Sequence, residues 1–263
     1  MQIGTFARDV EQVRKALEFE PDFVDLRMDL TGKLNLTESR KLLSDAGVGC
    51  TVHLPNSPDW GPIDVARGIV PFIDMTTHVN AELVTFHTTL SPLFFSDEDI
   101  EAFLQEIPAA CDAAREAGVI LAAETLGLYF TELTLLFDID PDLRLAMDIG
   151  HAQILAARNR SLGMIEHFFD KIAMANCHDN NGKTMVDEVL RLRSQRAVPL
   201  KEMRSIGHKY DEHLPMGEGS IDFEQIFREL KRKSYDGRFL MMCRDQTRFQ
   251  DERRKLRAIW DEI

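Results

Sequence analysis

The sequence predicts an α/β chain folded as one closed (β/α)₈ barrel, and three observations carry that prediction. Eight short apolar or β-branched runs are spread along the chain, and stretches with helical spacing lie between most of them. No Gly/Ser or Pro-rich linker, low-complexity tract or short repeat divides the 263 residues. Eight strands alternating with helices on one domain's length of chain imply a parallel sheet, and the count of eight favours closure. An open doubly wound sheet would want a Gly-rich phosphate turn after its first strand, whereas Phe6-Ala7-Arg8-Asp9 stands there. A single domain over 1–263 is therefore expected.

The first run, 2–6 (QIGTF), leads into a helix over 10–19. Runs at 23–28 (FVDLRM), 48–53 (VGCTVH) and 82–87 (ELVTFH) supply strands two to four. A helix over 98–117 follows, with Ile100, Phe103, Leu104, Ile107 and Ala110 on one face. Strands five to seven read 119–124 (VILAAE), 143–148 (LRLAMD) and 171–178 (KIAMANCH). After strand seven comes a long insertion, 183–237, of the size that usually forms a functional loop. It contains a helix over 222–233, opened by a capping box between Asp222 and Gln225. Strand eight is 238–243 (RFLMMC).

Composition narrows the function classes. With 31 Lys+Arg against 44 Asp+Glu the formal net charge is −13, which disfavours loose, charge-driven binding to DNA or anionic lipid but leaves room for a local basic cleft. Apolar runs such as 118–123 and 239–242 fall far short of the roughly 20 residues that cross a bilayer, so no membrane span is expected. The N-terminus lacks a basic segment followed by an apolar stretch, and Cys50, Cys111, Cys177 and Cys243 form no CxxC pair. A cytoplasmic protein without a disulfide framework or zinc ribbon is the expectation. No helical face singles out a dimer surface, and an oligomer stays open.

A barrel places its chemistry at the carboxyl ends of its strands. Here His53 ends strand three, His87 strand four, Glu124 strand five, Asp148 strand six and His178 strand seven, while His151 follows Asp148 by less than one helical turn. Imidazoles and carboxylates converging on one rim suit a divalent transition metal, with Zn²⁺, Mn²⁺, Co²⁺ and Fe²⁺ all chemically reasonable. Within the insertion, Asp211 and His213 are separated by one residue and would point the same way in an extended segment. Gly217 and Gly219 would allow a tight return before the capped helix.

The motifs VHLP (52–55), FHTT (86–89), AETLG (123–127), MDIGH (147–151), NCHDNNG (176–182) and DEHLPMGEGSIDF (211–223) resemble, in that order, the xylose isomerase-like TIM-barrel superfamily. Its members include sugar and sugar-phosphate isomerases and epimerases, and the endonuclease IV type of abasic-site nuclease. The resemblance implies that Glu124, Asp148 and His178 hold a main metal ion. It further implies that residues like His53, His87, His151, Asp211 and His213 hold additional ions in the nuclease branch. The family normally ends strand eight with a glutamate, and this sequence departs from it: Cys243 is the expected occupant, with Asp245 as an alternative.

Three functions compete. The first is a metal-dependent isomerase or epimerase of a small, carbohydrate-like hydroxy-carbonyl substrate, with proton transfer through an ene-diolate. Glu124 would be ligand and acid/base, Cys243, Asp245 or His213 would replace the second base, and His151, Lys183 and Arg27 would bind substrate. The second is an abasic-site phosphodiesterase using two or three zinc ions. Against it stand His53-Leu54-Pro55-Asn56, where an aromatic residue would be expected to stack on DNA, and rim loops without basic and aromatic interleaving. The third is a barrel that has lost catalysis and binds a metal or metabolite.

Overall fold

The computed structural model describes every residue except Pro58, Thr89 and Leu93, and omits the side chain of Leu200. Eight strands close into a parallel barrel in chain order, the first pairing back onto the last. They are β1 (Gln2–Ala7), β2 (Phe23–Arg27), β3 (Gly49–His53), β4 (Leu83–Thr88), β5 (Ile120–Thr125), β6 (Arg144–Asp148), β7 (Ile172–Cys177) and β8 (Arg238–Met241). All eight expected runs become strands, with bounds shifted by no more than two residues.

Around them lie α1 (Val10–Leu17), α2 (Leu36–Ala46), α3 (Pro62–Gly68), α4 (Val70–Met75), α5 (Asp97–Ala117), α6 (Phe130–Ile139) and α7 (Ser161–Phe168). They continue with α8 (Gly182–Gln195), α9 (Leu200–Tyr210), α10 (Phe223–Arg232) and α11 (Phe249–Glu262). Helix α5 starts where Ser96 accepts from the Asp99 N–H while the Asp99 carboxylate accepts from the Ser96 N–H, and it stops at Gly118 in the left-handed region. Asp222 caps α10 by accepting from the Gln225 N–H at 3.0 Å. This is half of the expected box. Among the described residues no helix is long and apolar enough to cross a membrane.

Strand alternation divides the core into two layers. Phe6, Phe23, Leu83, Ala122, Ala146, Met174, Leu240 and Met242 fill the barrel interior. Their strand neighbours, including Val24, Val84, Leu145, Phe239 and Met241, pack outward against the helices.

The insertion after β7 is not an open loop. Met185 and Val189 on α8 bury against Met203 and Ile206 on α9, together with Phe94, Leu126 and Ile154, in a small separate core. Helical spacing of these apolar residues explains why the segment folds, and ahead of α10 only the short 196–199 link and 211–222 lie outside helices.

Glu132 on α6 is 3% exposed, and its Oε1 accepts the Leu90 N–H at 2.5 Å while Oε2 has no partner. Burial pushes its carboxyl up to about 8. The folded state therefore holds a proton that the unfolded chain releases near its ordinary value, so this group's contribution to stability falls as pH rises from about 4.5 to 8. The decline is limited to about 1.4 kcal/mol per pH unit. Glu132→Gln should flatten that slope, melting above the unsubstituted protein at pH 8 and close to it at pH 5. Thermal unfolding across that range measures it.

Candidate metal centre and active site

At the carboxyl-terminal rim the strands deliver their last polar residues into one buried cluster. Asp148, ending β6, is fully buried; its Oδ1 lies 2.9 Å from His178 Nε2 and accepts the His151 N–H at 2.7 Å. Glu124, near the end of β5, has one oxygen 3.6 Å from His151 Nδ1 and the other 3.7 Å from His53 Nε2. That second oxygen also accepts from Asn176 Nδ2 at 2.7 Å. His87 sets its ring edge-on to His151, with centroids 5.2 Å apart.

Asp211 and His213 arrive from the insertion. Asp211 Oδ2 is 3.4 Å from both His151 Nε2 and His213 Nε2, and its Oδ1 is 3.8 Å from His178 Nε2. The segment is not extended as expected, since His213 adopts φ +52°, yet the two side chains still meet. Its ring then stacks on His178 at 3.9 Å, and its Nδ1 faces the Met242 carbonyl at 2.9 Å.

Two sets of ligand atoms are close enough to share an ion: His151, His178, Asp211 and His213 in one, and His87, Glu124 and His151 in the other. Asp148 Oδ2, His151 Nδ1, His178 Nδ1 and Asp211 Oδ1 are buried without a hydrogen-bond partner. Orphaned buried donors and acceptors of this kind are costly unless a ligand satisfies them. Imidazole and carboxylate together fit a divalent cation of the zinc or manganese kind.

The electrostatics agree with that fit. Burial, aided by Arg27, holds His53 well below its ordinary value, and burial with His151 takes His87 down to about 3. Burial and the adjoining His178 lower His213 as well. In all three the shift favours the neutral imidazole, the form that ligates. Burial opposes charge on His151, yet Asp148, Asp211 and Glu124 carry it up to about 10. Burial likewise opposes charge on His178, and Asp148 raises it. Burial and the Asp148 charge raise Glu124, while His151 and His178 overcome burial to lower Asp148.

Cys243 does not reach this cluster. The alternation along β8 continues through Met242, whose N–H bonds the Cys177 carbonyl, so Met242 faces inward and Cys243 turns towards Glu252 and Arg248. Burial raises its thiol. Asp245 is exposed and accepts from Thr247 N and Oγ1 at 3.0 and 2.6 Å. The position expected for a fourth carboxylate therefore holds a thioether. Lys183 is exposed in the first turn of α8. Arg27 reaches the rim, its Nη2 3.4 Å from Met242 Sδ. Thr89, the last residue of FHTT, lies outside the described residues.

Sequence reasoning missed Asn176, which orients Glu124, and Asn180, whose Nδ2 donates to the Gly150 carbonyl at 2.8 Å. The signal was the polar run NCHDNNG at a strand end. It also missed a rim cavity of about 70 Å³ beside His87, walled by Trp60, Phe94, Phe95, Arg204 and His208. No single loop interleaves these residues; the fold assembles them.

The family described as "Xylose isomerase-like TIM barrel" matches residues 13–259. The chain belongs to this family. A D-tagatose 3-epimerase-like protein superposes with a TM-score of 0.75 at 20% identity, covering 100% of this chain and 99% of its own. The IOLI protein with a bound zinc atom gives 0.68 at 13% identity, covering 100% and 99%. An AP endonuclease, family 2, from Brucella melitensis gives 0.68 at 13% identity, covering 98% of both chains. At these identities the likeness is one of fold. No curated protein matches the chain.

Two predictions follow from the geometry of this family member's cluster. A Cβ on Gly150 would lie 2.0 Å from His178 Cε1, so Gly150→Ala should displace the ring and weaken zinc binding about tenfold or more, with every ligating side chain retained. Competition against a chromogenic chelator measures it. An ion held by His151 would displace its proton, so added zinc should release protons at pH 7 and bind more weakly as pH falls. Calorimetry in buffers of different ionisation enthalpy counts them.

Proposed function

We propose that this family member is a divalent-metal-dependent isomerase or epimerase of a small carbohydrate-like hydroxy-carbonyl compound. The position of Glu124 carries the reading. It is a buried carboxyl raised above its ordinary range, reached by imidazoles on both oxygens and oriented by Asn176. A carboxyl so placed is suited to taking and returning a proton near neutral pH. Asp148 and His178 would complete the main ligand set, and His53, His87, His151, Asp211 and His213 would serve further ligation. When bound, the ion supplies Lewis-acid polarisation of the substrate oxygens.

Glu124 would move the carbon-bound proton on one face. His213, partly exposed and stacked on His178, would serve the opposite face in place of the missing strand-eight carboxylate, a role open to its Nε2 when that nitrogen does not ligate an ion. His151, Lys183 and Arg27 are the proposed contacts to substrate. A second reading, an abasic-site phosphodiesterase, is favoured by the two ligand sets that share His151 and by the 3.4 Å approach of Asp211 and His213.

Glu124→Gln should lower turnover on a panel of ketoses, sugar phosphates and hydroxy-keto acids by about 10²–10⁴-fold while circular dichroism stays unchanged. Retained turnover with metal bound would overturn the mechanism. Metal analysis of the purified protein decides between the readings. Two or three zinc ions per chain that fall in both His53→Ala and His213→Ala, with cleavage of abasic DNA, would replace the isomerase by the phosphodiesterase.

A further inference from the structure

Three arginines stand side by side at the barrel mouth. Arg8 follows β1, Arg27 ends β2 and Arg244 follows β8, and these strands are neighbours in the closed sheet. With Phe6, Met242 and His213 they line a cavity of about 150 Å³. The guanidinium carbons of Arg8 and Arg27 lie 4.8 and 5.1 Å from the centroid of the same Phe6 ring. His213 belongs to both this cavity and the ligand cluster, so the cavity opens beside the metal centre.

The charge here is poorly compensated. Arg27 has one carboxylate neighbour, Asp25 at 3.4 Å, and that group also accepts from Thr51. Among the described residues neither Arg8 nor Arg244 has a carboxylate within 4.0 Å, in a chain of net charge −13 with acidic groups to spare. The Arg27 ion pair is made by its Nε, while the Nη2 tip faces only the thioether of Met242, at 3.4 Å. Guanidinium groups gathered around one cavity, with donors not taken up by carboxylates, are a receptor for an oxyanion.

We infer that the cavity formed by Arg8, Arg27 and Arg244 binds the anionic group, phosphate or carboxylate, of the substrate whose hydroxy-carbonyl portion lies over the metal centre. This deepens the isomerase reading and rests on it for the neighbouring chemistry, though anion binding does not require turnover. Arg8 and Arg244 are exposed, so their removal leaves the core intact.

Calorimetric titration of the full chain, zinc-loaded and again after chelation, with inorganic phosphate and with acetate tests the inference. At least one anion should bind both forms, and the Arg8→Ala/Arg244→Ala double variant should weaken it tenfold or more in each. Arg232→Ala, which removes an exposed charge from α10, should leave binding unchanged. Tighter phosphate marks a phosphate ester, and acetate alone marks a carboxylate. Absence of binding, binding that survives the double substitution, or an equal loss in Arg232→Ala would overturn the inference. Failure of every sugar in the turnover panel while the double variant still loses the anion would reject the isomerase and keep the anion site.

Discussion

The side chain on which the rim depends is a carboxylate outside both ligand sets. Asp179, fully buried just past β7, accepts the N–H groups of Gly217, Gly219 and Ile221 at 2.9, 3.0 and 3.1 Å. Its backbone exchanges two hydrogen bonds of 2.8 Å with Leu214. Hydrogen bonds to an ionised acceptor are roughly twice as strong as neutral ones, and here they pin a segment that would otherwise carry its full loop entropy. Gly219 is required because a Cβ would sit 2.3 Å from Asp179 Oδ1. Tying 214–221 to the end of β7 holds the preceding Asp211 and His213 at the rim.

Much of this was legible because a parallel barrel converts chain position into rim position: the last residue of each strand run names a candidate, and His53, His87, Glu124, Asp148 and His178 were found that way. The inward side of β8 was not legible. Strands of a parallel barrel are buried on both faces, so Phe239-Leu240-Met241-Met242-Cys243 is apolar throughout and carries no phase. In β5, β6 and β7 a charged or polar terminal residue supplies that phase; in β8 only the pairing of Met242 with Cys177 does. Interactions between distant segments were equally silent. Trp60, Phe95 and Arg204 share a cavity, with Arg204 4.6 Å from the Phe95 centroid, because two loops and helix α9 meet over the same rim.

The thioether at Met242 changes the electrostatic character of the mouth. A carboxylate there would pair with Arg27 and add a fourth anionic group beside Glu124, Asp148 and Asp211. Instead the cluster is anionic on the side of β5 and β6, and cationic on the side of β8, β1 and β2. A polarised rim orients a dipolar or singly charged molecule before any contact is made, since the local field extends over about a Debye length.

The shared histidine has a consequence for loading. His151 turns Nδ1 towards Glu124 and Nε2 towards Asp211, joining the two ligand sets through one ring. A neutral imidazole has a single lone pair to donate, the other nitrogen keeping its proton. Whichever set takes that lone pair fixes the tautomer and aims an N–H at the carboxylate of the other. Ions bound in both sets would thereby be thermodynamically linked, and by reciprocity each would change the affinity of the other by the same factor.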